Sequence, residues 1–139
     1  AQELEGHEVI VVNDSGAPLP EAGWMASARV RVLATARRER SVARNAGAAA
    51  AGGRFLHFLD DDDHLLPGGL AALLEVALAR GAVWVYGGLQ RTDDEGRPLS
   101  IDHPTVRGNI MVELVGGDAL HPSPSLVGAA EFARAGGFD

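Results

Sequence analysis

Apolar positions along this chain fall into short runs, some continuous and some recurring every three or four residues, and the runs mark out strands and helices in turn. Val9-Ile10-Val11-Val12, within Glu8 to Asn13, is continuous and β-branched. That pattern predicts a strand covered on both faces, as in a parallel sheet. Asn13-Asp14-Ser15-Gly16 then supplies turn chemistry. Arg29 to Leu33 alternates Arg, Val, Arg, Val, Leu, which predicts a half-exposed strand near a sheet edge. Ser41 to Ala51 reads as a helix of small residues ended by Gly52-Gly53.

Phe55 to Leu59 is a second continuous apolar strand, running straight into Asp60-Asp61-Asp62-Asp63. A helix from about Pro67 to Arg80 follows, with Leu70, Leu73, Leu74, Ala77 and Leu78 on one face and Gly81 as its stop. Val83 to Tyr86 is another strand of buried type. Asp94-Glu95-Gly96 marks a hairpin tip between Leu89–Thr92 and the segment around Leu99–Ile101. The remainder is rich in Gly and Pro, with short helices near Ile110–Val115 and Ala129–Ala135. No repeat or linker divides residues 1–139, so the expectation is a single domain. Strands alternating with helices make it an α/β fold with a mostly parallel sheet. Ligands bind outside the carboxyl ends of such strands, and two of the strands end in acidic loops, at Asp14 and at Asp60–Asp63.

Composition narrows the chemistry. At 139 residues and 46% hydrophobic the chain has the content of one globular domain. It has no cysteine, which excludes disulfides, thiolate metal sites and a Cys nucleophile. Its twelve basic residues are all Arg, so a Schiff-base lysine and a P-loop lysine are also excluded. The net charge of −7 opposes binding to a nucleic-acid backbone. The apolar stretches are too short to span a bilayer and no N-terminal signal is present. The expected location is cytoplasmic, or peripheral at the inner face of the membrane.

Four adjacent Asp residues repel one another, and folding does not need them. Asp63 alone could cap a turn or helix start. As a group they suit a hard divalent cation, Mg²⁺ or Mn²⁺, which takes one or two carboxylates plus substrate phosphate oxygens. In an extended segment residues i and i+2 point the same way, so Asp60 and Asp62 can serve one ion together. An EF-hand loop fails, because Leu65 and Ala71 stand where Gly and Glu are required. A phosphatase-type Asp-x-Asp nucleophile stays open as a distant alternative, although His64 stands where such enzymes carry Thr or Val.

Four segments together resemble glycosyltransferase family 2, the inverting nucleotide-sugar transferases of GT-A fold. Glu8 to Ser15 is similar to the strand and acidic turn that hold the nucleoside. Ser41-Val42-Ala43-Arg44-Asn45-Ala46-Gly47 is similar to the Ala-Arg-Asn-x-Gly helix. Phe58 to Pro67 is similar to the DXD segment with its downstream Pro, and Gly136-Gly137-Phe138-Asp139 to the Gly-Gly-Phe-Asp signature. The resemblance implies a Rossmann-like three-layer sandwich. It implies that Asp14 contacts the nucleobase, that Arg44 lies near the nucleoside, and that Asp60 and Asp62 bind the ribose and the cation. Asp61, in the variable middle position, joins the nucleotide-sugar contacts. The bland alternatives are an Asx-turn for Asp14, a solvated helix residue for Arg44 and a packing or turn residue for Asn45.

The family's first strand, with its Thr-Tyr-Asn-like turn, precedes the residues that match Ala1–Gly6. Its general base, from a Glu-Asp pair, follows Gly-Gly-Phe-Asp and is expected beyond Asp139. The chain is therefore expected to lack both segments, with self-association through exposed sheet edges as one consequence. The function implied is metal-dependent transfer of a sugar from a nucleotide-diphosphate donor, UDP-sugar favoured over GDP or dTDP sugars. The acceptor is a saccharide, a lipid-linked or a small-molecule hydroxyl. The rival is a nucleotide-sugar-binding module or incomplete fragment without turnover.

Other residues have mainly structural readings. His57 is expected to be a hydrogen-bonded core histidine, and His64 structural, since a hard cation prefers oxygen. His121 begins His-Pro-Ser-Pro-Ser, a rigid loop that the family places near the acceptor. Arg37, Arg38 and Arg40 read as a solvated basic loop, with a diphosphate or anionic lipid surface as the sharper alternative. Trp24 and Trp84 are too isolated for a sugar-stacking platform, and Ser123 and Ser125 have no matching base for a hydrolase triad.

Overall fold

The β-branched run forms strand β1, Val9–Asn13, in the computed structural model, which describes residues 4–36, 38–105, 107–108 and 121–139. Contacts gather the chain into two compact units, Leu4–Leu56 with Val127–Asp139, and His57–Leu126.

In the first unit β1 pairs in parallel with β2, Val30–Ala34, in the register Val9↔Val30 to Asn13↔Ala34. The connection includes a 3-10 turn at Gly23–Ala26. The predicted cover on both faces of β1 is incomplete: Val9 is 42% exposed and Val32, on its partner, 44%. A parallel strand is fully buried only when helices lie on both faces of a wider sheet, and among the described residues the sheet here has two strands. Helix α1, Arg40–Ala50, packs on β1 through small residues. A Cβ on Gly47 would lie 3.2 Å from Val12 Cγ2, so the approach depends on that glycine.

Arg31 ties these elements together. Its Nη2 donates to Glu8 Oε2 at 2.8 Å and to the Ala50 carbonyl at 2.5 Å. Glu8 Oε1 accepts the Gly52 N–H at 2.7 Å. The Gly52 N–H first, and then Arg31, hold the exposed Glu8 carboxyl below its usual range. Strand β3 is short, Phe55–Leu56, and pairs antiparallel with the end of a strand that the sequence did not announce, β7, Ser125–Gly128. Helix α3, Ala129–Ala135, follows directly where the sequence placed a helix, and its first N–H donates to the Arg54 carbonyl.

In the second unit helix α2, Gly69–Arg80, starts two residues later than predicted, because Gly68 before it takes φ +75°. Gly81, at φ +59°, closes it as expected. Ala77 is buried and Leu70, Leu73 and Leu74 are half-buried, but Leu78 is 55% exposed. One residue beyond Ala77 is a rotation of about 100°, which carries Leu78 off the stripe. Strand β4, Trp84–Tyr86, alternates rather than being buried throughout: Val85 is buried while Trp84 and the preceding Val83 are exposed. The first part of β7 runs beside β4, and the Gly87 N–H donates to the Pro124 carbonyl at 2.8 Å.

Strands β5, Leu89–Thr92, and β6, Pro98–Asp102, form the predicted hairpin, antiparallel with an irregularity at Arg91/Thr92. Its tip is tied by Asp93, whose Oδ1 accepts the N–H groups of Glu95 and Arg97, while Arg97 pairs with Asp93 and Glu95. Among the described residues no helix is long and apolar enough to cross a membrane. The helix predicted near Ile110–Val115 lies outside the described residues.

Candidate functional site

The acidic loop begins earlier than the apolar pattern suggested. β3 ends at Leu56, and Leu59, expected inside the strand, is 46% exposed. The acids that follow are not extended. The Asp63 N–H donates to the Asp60 carbonyl at 3.1 Å, closing a turn that returns residue 63 toward residue 60. Asp60, Asp62 and Asp63 each offer a carboxylate oxygen, all within 4.8 Å of one another. The predicted pair Asp60 and Asp62 is thus brought together by a turn rather than by strand alternation. Asp63 joins it, and Asp61 is exposed and outside the group.

Asp63 does not cap α2, which starts at Gly69 with no acid in its first turn. Its carboxylate instead accepts a hydrogen bond from the Ser123 hydroxyl, and Ser123 is buried. Three carboxylates with no sulfur or nitrogen donor form an all-oxygen set. That set fits Mg²⁺ or Mn²⁺, which favour hard oxygen ligands and keep further positions for water or phosphate. His64 is exposed and is not part of this group.

His57 stands in the same unit and is half-satisfied. Its Nδ1 lies 2.8 Å from the Ser125 carbonyl, which can only accept, so Nδ1 carries the proton. Nε2 is buried, with no hydrogen-bond partner among the described residues. Burial holds the imidazole below its ordinary pKa of 6.5, partly opposed by the bond to Ser125. The satisfied core histidine expected from the sequence is therefore correct for one ring nitrogen only.

Asp14 and Arg44 belong to the other unit. The loop after β1 does contain an Asx-turn, but Asn13 makes it. Asn13 Oδ1 accepts the N–H and hydroxyl of Ser15, at 3.1 and 2.7 Å, and its Nδ2 donates to the Ala17 carbonyl. Asp14, half-buried, makes no hydrogen bond or ion pair among the described residues, so the loop is shaped without using its charge. The Arg38 guanidinium rests on the same loop, 3.1 Å from where a Cβ on Gly16 would be. Arg37 lies outside the described residues. Arg44 is no solvated helix residue: it is half-buried, with its guanidinium over the Phe138 ring at 5.3 Å. Asn45 also reaches Phe138, through both amide atoms. Two of the sequence motifs thus meet, Ala-Arg-Asn-x-Gly and Gly-Gly-Phe-Asp. Trp24 and Trp84 are exposed and sit in separate units.

The sequence put Asp63 in the acidic group, with capping as its alternative, but named only Asp60 and Asp62 as ligands, and it gave Ser123 no part in the site. The spacing of four acids in a turn could have suggested Asp63 as a ligand, since residues i and i+3 of a turn approach each other. Nothing local could have shown the part of Ser123, because it is sixty positions away.

The family described as glycosyl transferase family 2 matches residues 1–120. The succinoglycan biosynthesis protein ExoO of Rhizobium meliloti (strain 1021) is 39% identical over 102 residues. That stretch is 71% of this chain and 29% of ExoO, so the chain matches less than a third of that relative's length. The α/β build, with its small parallel pair β1–β2, is consistent with a Rossmann-like domain. On these grounds the chain belongs to glycosyltransferase family 2 and has the GT-A fold.

Proposed function

We propose that this chain binds a nucleotide-diphosphate sugar, UDP-sugar favoured, and serves in metal-dependent transfer of the sugar to an acceptor hydroxyl with inversion. The observation that carries this reading is the group of Asp60, Asp62 and Asp63, with oxygens within 4.8 Å, in the loop after β3 of a family 2 chain. Asp60 and Asp62 hold Mg²⁺ or Mn²⁺, and Asp60 and Asp61 approach the donor's ribose and sugar. When bound, the cation supplies Lewis-acid neutralisation of charge on the departing diphosphate. Asp14 accepts from the nucleobase, a reading supported by its having no hydrogen bond or ion pair among the described residues. Arg44, stacked on Phe138, is held in place beside the nucleoside. The succinoglycan biosynthesis role of ExoO favours a saccharide acceptor.

The test is calorimetric titration of UDP, GDP and dTDP into the folded chain, each with and without Mn²⁺. The expected result is Mn²⁺-dependent binding of one of them, lost on Asp62→Ala. Absence of binding by demonstrably folded protein would overturn the assignment. Binding that survives Asp62→Ala would overturn the metal role and leave the nucleotide role standing.

A further inference from the structure

Ser123 is flanked by Pro122 and Pro124, so it is restricted on both sides. Proline fixes its own φ, and the residue before a proline is held to extended conformations. The segment is also tied internally, by the Ser125 N–H to the Pro122 carbonyl at 2.9 Å and the Ser125 hydroxyl to the His121 carbonyl at 3.0 Å. His57 fixes it from outside through the Ser125 carbonyl. Ser123 and Ser125 are both buried, at 8% and 6% exposure. The result is a hydroxyl held in a rigid frame and aimed at one oxygen of Asp63.

We infer that Ser123 is a positioning residue for the cation group: its hydroxyl locks the Asp63 carboxylate so that a third oxygen faces the site of Asp60 and Asp62. This rests on the metal-binding reading above. A carboxylate has two oxygens and about four lone-pair directions. A hydroxyl on one oxygen fixes the rotation of the group and leaves the other oxygen for the ion. A hydroxyl donated to a carboxylate is a charge-assisted bond, stronger than a neutral one. It also disperses negative charge that would otherwise work against three carboxylates held close together. Groups that orient metal ligands in this way change metal affinity about 10–100-fold when removed. Ser123 does not touch the substrate, and its effect passes through Asp63.

The experiment is Mn²⁺ binding to the whole chain, without nucleotide, followed by the loss of the free-ion electron paramagnetic resonance signal. Ser123→Ala should weaken Mn²⁺ about tenfold while circular dichroism stays that of the wild type. Ser123→Thr, which keeps the hydroxyl, should restore most of the affinity. Asp63→Asn should weaken binding at least as much, and adding Ser123→Ala to it should change nothing further. Should Ser123→Ala fail to fold, Ser123→Cys, close in volume and a poor donor, takes its place with the same expectation. Undiminished affinity in folded Ser123→Ala or Ser123→Cys, beside a wild type that binds, overturns the role of Ser123 and leaves the metal site intact. A wild type that does not bind Mn²⁺ overturns both.

Discussion

Asn45 and Phe138 hold each other across 93 positions of sequence: Asn45 Nδ2 donates to the Phe138 carbonyl at 2.7 Å, and the Phe138 N–H donates to Asn45 Oδ1 at 2.9 Å. A side-chain amide here completes the backbone of a distant segment as a neighbouring strand would. The contact fixes the C-terminal Gly-Gly-Phe-Asp segment against α1 and sets the Phe138 ring under Arg44, with Phe132 edge-on at 5.3 Å.

Asn45→Ala leaves a part-buried N–H and C=O of Phe138 without their partner, and should destabilise the chain by about 1–3 kcal/mol. Asn45→Asp keeps the acceptor but sets a carboxylate oxygen against the Phe138 carbonyl, so it should also destabilise. Urea unfolding midpoints at constant slope would measure both. A midpoint for Asn45→Ala equal to that of the wild type would show that the pair contributes nothing net.

Gly137 stands at φ +84°, and a Cβ on it would lie 2.6 Å from Asn45 Oδ1. Gly137→Ala should therefore be destabilising twice over, through left-handed backbone and through displacement of the amide. In an Asn45→Ala background only the backbone part remains, about 1–2 kcal/mol. The two substitutions should be less harmful together than their sum, and additive midpoints would contradict the predicted clash.

The loop of acids was plain in the sequence, while its geometry was not. Asp60 to Asp63 carry an unmistakable local signal, but whether they run extended or turn depends on a backbone bond from Asp63 to Asp60 that composition does not announce. α1, α2, α3 and the β5–β6 hairpin were readable because each is specified by near neighbours: small residues, a leucine stripe, glycine stops and an Asp-Glu-Gly tip. β7 was not. Its four residues, Ser125-Leu126-Val127-Gly128, sit in a Pro- and Gly-rich stretch, and they are extended because Phe55 and Leu56 pair with Val127 and Gly128 while the first part runs beside β4. Phe55–Leu59 looked like one strand for the opposite reason, since an apolar run does not say where its partner ends.

Mn²⁺ should raise the melting temperature of the wild type and not of Asp62→Asn. A ligand that binds only the folded state stabilises it by about 2.7 kcal/mol at a hundredfold excess over Kd. Differential scanning calorimetry with and without Mn²⁺ would read the difference. An equal shift in both proteins would place the bound ion elsewhere.

Stability should fall as pH is lowered from about 7 toward 5, with His57 responsible. Its folded pKa lies below the ordinary 6.5, so the unfolded chain takes up a proton before the folded chain does. The stabilisation is complete above 6.5 and is lost as pH falls through 6.5 toward the lower folded value. His57→Gln, which can still donate to the Ser125 carbonyl, should flatten this part of the profile. The carboxyls of Glu8 and Asp93, also lowered, act in a more acid window, below about 4.5. Thermal melts between pH 4 and 8 would separate the two. An unchanged slope in His57→Gln between pH 5 and 6.5 would remove His57 as the cause.

The bond from Ser123 to Asp63 spans sixty positions, whereas the β5–β6 hairpin closes around a tip held by Asp93 and its near neighbours. Loop closure grows less favourable with separation, and hairpins form in about 1–10 μs. The hairpin can thus assemble early, and the contact that secures the third carboxylate forms after it. In a refolding experiment the full affinity for Mn²⁺ should appear after the hairpin has formed, so the ion would report the moment at which that long loop closes.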